Sequence, residues 1–115
     1  MKDSLYYYGL GVEAIEKNNY SEAIDNFLKS LAIRAHFKTY ERLYYCYLNL
    51  GMISKSKECI EKAYKLNDKN DKVSVEYSQI LFKEGLFDEA LEILQCVLLR
   101  NPSYGPAKKL LKEFE

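Results

Sequence analysis

The chain repeats itself. The segment GVEAIEKNNYSEAIDNFLKSLAI (11–33) has the same layout as YYCYLNLGMISKSKECIEKAYKL (44–66) and SQILFKEGLFDEALEILQCVLL (78–99). In each, a helical apolar pattern meets a polar or glycine break, then an aromatic or Ile, then a second helical pattern. Taking Tyr20, Ile53 and Phe87 as matching residues, the spacings are 33 and 34. A period of this size is the mark of stacked supersecondary units, each too small to bury its apolar face alone.

Ala23, Ser56 and Ala90 follow three residues after those markers, and Phe27, Ile60 and Leu94 follow four beyond. Steps of three and four return to one side of a helix, so these residues form the contact face of each second helix. Asn18 with Asn19, Gly51 and Gly85 stand at the breaks, where Asn or Gly takes the positive φ that closes a helix. Ser21, Ser54 and Asp88 are then expected to cap the second helices. These signals predict helices over about 4–17, 21–34, 38–50, 54–67, 71–84 and 88–100. Asn101 and Pro102 end the sixth, and Pro106 opens a terminal helix whose Tyr104, Ala107, Leu110, Leu111 and Phe114 form an apolar stripe. The expected fold is all-α, a single domain over 1–115, with repeats at about 4–36, 37–70 and 71–104 and a capping helix at about 105–114.

Several function classes are disfavoured by composition. Lys plus Arg and Asp plus Glu both number 17, so no net field steers the chain toward nucleic acid or an anionic membrane. The middle third carries a basic excess that includes Lys55, Lys57, Lys62 and Lys65, expected to be a solvated helix face. No apolar run approaches the length of a membrane span, and MKDSLYYYGL lacks the form of a signal peptide. The three cysteines, Cys46, Cys59 and Cys96, are odd in number and form no CxxC pair, which fits a reduced, cytoplasmic compartment. Cys46 is expected to be buried packing, with Cys59 and Cys96 partly exposed.

Catalytic and metal constellations are missing from the pattern. His36 stands between repeats with no partner set around it and reads as a loop or capping residue. The acidic groups Glu13 and Glu16, Glu58 and Glu61, and Asp88, Glu89 and Glu92 fit helix starts or alternation with lysines on outer faces. The GLG run at 9–11 has no preceding strand and makes no claim to a phosphate loop. Lys108, Lys109 and Lys112 are too few for a membrane anchor. No cofactor, metal or enzymatic activity is expected.

The pattern resembles the tetratricopeptide repeat family. The first repeat carries the resemblance through Tyr7, Leu10, Gly11, Tyr20, Ala23 and Phe27, with Ser30 where a second Ala is usual. The second matches at Tyr40, Leu43, Tyr47, Gly51, Ile53, Ile60 and Ala63, and departs with Tyr44 and Ser56 at small-residue positions. The third matches at Leu81, Gly85, Phe87, Ala90, Leu94 and Pro102, and departs with Ser74, Tyr77 and Ser78.

The resemblance implies a right-handed superhelix of three antiparallel helix-turn-helix repeats with a capping helix, whose first helices line a concave groove for a peptide or helix. The groove positions carried across are Leu5, Tyr8, Val12 and Ile15 in the first repeat, then Lys38, Glu41, Tyr45, Leu48 and Asn49 in the second. The third supplies Lys72, Val75, Gln79, Phe82 and Lys83. Tyr8, Tyr45 and Phe82 are read either as groove contacts or as rim packing, while Tyr6, Tyr7, Tyr44 and Tyr47 fit packing between helices. The chaperone-tail clamp of some members falls on Tyr8, Val12, Arg42, Lys72 and Glu76, of which only Lys72 keeps the expected type. The implied function is a non-enzymatic adaptor or scaffold binding a protein or peptide. The alternative is a module that assembles into a homo-oligomer through its terminal repeats.

Overall fold

A computed structural model describes residues 2–115, and all regular structure among them is helical. The helices are α1 (Ser4–Glu16), α2 (Tyr20–Ile33), α3 (Phe37–Asn49), α4 (Ile53–Leu66), α5 (Asp71–Lys83), α6 (Phe87–Arg100) and α7 (Gly105–Glu113). They divide into two compact units, Met1–Leu66 and Asn67–Glu115.

Within each repeat the two helices are joined by a turn of only three residues, which forces them side by side. The turns share one hydrogen-bond pattern. Asn18, Gly51 and Gly85 take φ of 58°, 74° and 81°. The amide of the following residue then reaches back to the helix: Asn19 to Ala14 O at 2.8 Å, Met52 to Tyr47 O at 2.9 Å and Leu86 to Leu81 O at 2.9 Å. These are Schellman closures, which satisfy carbonyls that a helix end leaves without partners.

The second helices begin one residue earlier than the sequence suggests. Tyr20, Ile53 and Phe87 are the first helical residues, so Ser21, Ser54 and Asp88 lie inside the first turn and are not the caps. Asn19 caps α2, its side-chain oxygen accepting from the Glu22 amide at 3.2 Å, whereas Leu86 at the head of α6 offers no side-chain oxygen. One Asn therefore serves both the closing turn and the opening cap.

In the first unit, Gly11, Ala14, Ala23 and Phe27 are buried where α1 crosses α2. A Cβ on Gly11 would lie 2.5 Å from the Phe27 ring, so the glycine is required by contact rather than by its φ. The second repeat reverses the bulk, with Tyr44 at the glycine position and Ile60 at the phenylalanine position, both buried. The third takes an intermediate pair, Ser78 and Leu94, also buried. Ser30, at the second alanine position, is fully buried, and its hydroxyl donates to Ser4 O at 2.8 Å while the Ser4 hydroxyl lies 2.9 Å from it. A buried hydroxyl is thus tolerated because it is hydrogen-bonded.

The second unit packs Leu81, Phe82, Ala90, Leu94 and Val97 against Ala107 and Leu110 of α7. Arg100 at the end of α6 holds Asp71 at the head of α5, with Nη2 2.9 Å and Nε 3.3 Å from Oδ1. Asp71 also sits in the first turn of its helix, where negative charge is favourable.

Candidate functional site

The groove positions of the first two repeats lie on α1 and α3. Tyr8 and Val12 are half-buried on α1, and Lys38, Tyr45, Leu48 and Asn49 are exposed on α3. The two helices are tied by Arg42, whose Nε donates to the Tyr8 hydroxyl at 3.3 Å. That hydrogen bond raises the Arg42 pKa further, against the opposing effect of burial, so the guanidinium is a fixed and permanent cation. Tyr8 also packs its ring on Phe27, with centroids 5.6 Å apart, which anchors it to the first repeat's core.

Tyr45 is 41% exposed and rests edge-on against Tyr20 at 6.0 Å. Hydrogen bonding to Tyr45 raises the pKa of the Tyr20 hydroxyl, which stays neutral. Asn49 turns its side chain back onto Tyr45 O at 2.8 Å. Two tyrosines, one arginine and one lysine with a few aliphatic neighbours form a strip of rigid apolar area with polar tips.

An open cavity of about 740 Å³ lies at one end of this strip, lined by Asp3, Ser4, Leu5, Tyr8, Ser30, Ile33, Arg34, His36, Lys38 and Thr39. His36 is the cap of α3, as its loop position suggests, with Nδ1 accepting from the Lys38 amide at 3.1 Å. Sequence reasoning missed Ser4, Ser30, Ile33, Arg34 and Thr39 as site residues. They come from helix ends, which a projection along first helices does not sample.

Two groove expectations are corrected. Glu41 is buried on α3 rather than exposed. Phe82 is 3% exposed, because the Phe114 ring of α7 stacks on it with centroids 3.8 Å apart and planes 7° from parallel. Phe87 completes the cluster at 6.2 Å from Phe82. Elsewhere in the third repeat, Val75 is half-buried and packs on the core, while Lys72, Gln79 and Lys83 are exposed.

The cysteines divide differently from expectation. Cys59 is buried together with Cys46, and only Cys96 is exposed. Burial pushes both Cys46 and Cys59 up to about 11, which keeps them as thiols. Native protein near pH 8 is expected to give one fast-reacting thiol per chain, and three in denaturant; two fast thiols in the native protein would contradict the burial of Cys59. Since an unfolded thiol ionises near 9.0, both residues should favour unfolding as pH rises from about 9 through 11.

Among the described residues no group of three or more His, Cys, Asp or Glu is placed to hold a metal ion. Among the described residues no helix is long and apolar enough to cross a membrane.

The tetratricopeptide repeat profile matches residues 5–37 and 38–70. The chain belongs to the tetratricopeptide repeat family. Members of this family are protein-interaction scaffolds rather than enzymes. No curated protein matches the sequence.

Solved structures agree on the fold. YrrB, described as a tetratricopeptide repeat protein with an unusual peptide-binding site, superimposes with a TM-score of 0.78 at 26% identity over 90% of this chain. The chain spans 54% of YrrB. The first such domain of Spaghetti (RPAP3), solved with the HSP90 peptide SRMEEVD, gives 0.82 at 19% identity and covers 97% of this chain and 92% of its own. The second domain of human RPAP3, solved with the HSP70 peptide SGPTIEEVD, gives 0.80 at 18% identity over 96% and 92%.

Proposed function

We propose that the chain is a protein-interaction module that binds an extended or helical peptide along the α1 and α3 strip of its first two repeats. The observation that carries this reading is the Arg42 to Tyr8 hydrogen bond. It joins consecutive first helices and holds an aromatic and a cation in fixed geometry beside an open cavity, so little side-chain freedom is lost on binding. Tyr45, exposed and braced by Tyr20, is the anchor for an apolar partner side chain. YrrB and both RPAP3 domains are peptide-binding members with this fold, which supports the reading.

Tyr45→Ala should weaken partner capture from the source lysate about tenfold or more, at unchanged helicity, as loss of an interface aromatic does. Equal capture by wild type and variant rejects the strip. Assembly of copies is the second reading, favoured by the exposure of Leu5 at 77% and Leu99 at 83%. A scattering mass that stays monomeric at all concentrations would dismiss it.

A further inference from the structure

Two features of α1 weaken the helix and serve nothing inside the chain. Gly9 stands mid-helix, exposed, takes no positive φ, and a Cβ on it would meet nothing within 4 Å. Neither a turn nor packing within the chain asks for glycine there, and glycine is less favourable than alanine inside a helix. Gly11, wedged against Phe27, is the contrast. The second feature is charge. Glu13 and Glu16, the only charged residues of α1, are exposed in its last turn, at the negative end of the helix dipole, and that turn holds no basic residue. Both features lie on one face. Gly9 stands opposite the Gly11 and Ala14 side that packs on α2, and the helical period brings Leu5, Glu13 and Glu16 to its flanks, with Tyr6 and Val12 at the margins. Leu5 is 77% and Tyr6 43% exposed, so this is an apolar face with a glycine at its centre, open to close approach by a second helix.

We propose that this face pairs with the same face of a second copy of the chain, α1 antiparallel to α1, with the two-fold axis at Gly9. This pairing rests on the assembly of copies read above and names its surface. In an antiparallel pair centred on Gly9, residues equally far on either side of it come together. Tyr6 then meets Val12 of the second copy, and Leu5 lies along the aliphatic stem of its Glu13. Lys2, exposed just ahead of the helix and seven residues before Gly9, reaches Glu16, seven residues after it. Each contact occurs twice, as a two-fold interface requires. The partner helix also brings its positive end to Glu13 and Glu16, which relieves the unfavourable charge of that last turn. A parallel pair would set Lys2 beside Lys2 and Glu16 beside Glu16, so the charges select the antiparallel arrangement.

The test is sedimentation equilibrium of the full chain and its variants from about 10 μM to about 1 mM, the range in which a helix-sized interface assembles. Wild type is expected to pass from monomer to dimer. Lys2→Glu and Glu16→Lys should each weaken the dimer about tenfold or more, because each sets like charges together twice. An equal mixture of these two variants should regain the dimer, since every facing pair is then of opposite charge, and so should one chain carrying both changes. The two positions lie about 21 Å apart along one helix, so rescue can come only from contact between copies. Gly9→Gln should remove the dimer while the dilute monomer melts no lower than wild type.

Loss of the dimer in Gly9→Gln together with its return in the mixture establishes the pair. A dimer that survives Gly9→Gln or either charge reversal, or one that the mixture does not restore, overturns the α1 pair and leaves assembly to another surface. A wild-type chain that stays monomeric throughout overturns the α1 pair and the assembly reading together.

Discussion

Phe27→Ala is expected to destabilise the first unit by about 3–5 kcal/mol, enough to unfold much of it near room temperature. Phe27 is fully buried, lies against the Gly11 backbone and supports the Tyr8 ring. Its removal leaves a ring-sized void that the close approach of α1 and α2 cannot refill without moving a backbone. The converse change, Gly11→Ala, should cost about 1–3 kcal/mol through overpacking. Combining Gly11→Ala with Phe27→Leu should cost less than the two single changes added together, because the shorter side chain gives room to the new Cβ. Urea unfolding of the four proteins tests this. Additive effects would show that residues 11 and 27 do not share one space.

Phe82→Ala is expected to cost the second unit about 3–5 kcal/mol as well. The ring is enclosed by Phe114 and Phe87 and belongs to the core cluster with Leu81 and Leu94. This matters for experiments on binding. A binding defect in Phe82→Ala would report unfolding of α5 to α7, not a lost ligand contact. Circular dichroism melts should show the second unit weakened by Phe82→Ala while Tyr45→Ala leaves the first unit near wild type. A stable Phe82→Ala variant would mean that the Phe114 stack contributes little.

The fold was readable in the sequence because its strongest signals are local. A positive-φ residue at 18, 51 and 85 closes three helices in one way, and the three- and four-residue apolar steps after each turn select one face. The helix starts were read one residue late because Ser21, Ser54 and Asp88 are good caps by chemistry, whereas the Schellman turn fixes the boundary before them. The site was less legible. Projection of groove positions treats the repeats as equivalent, yet the third is followed by α7, whose Phe114 occupies the space over Phe82. The sequence showed the apolar stripe of α7 but not its partner ring. Thr39 and Arg34 are not legible for a related reason: they reach the cavity because three helix ends meet there, and no periodicity within one helix encodes that meeting.

The exchange of bulk between paired helices gives each repeat a private lock. Gly11 accepts Phe27, Tyr44 stands where Ile60 is the matching residue, and Ser78 stands with Leu94. A side chain at position 11 would meet Phe27, whose ring lies 2.5 Å from a Cβ built there, whereas the second repeat carries a buried tyrosine at the same place. By size alone, then, the first helix of one repeat is not interchangeable with that of another.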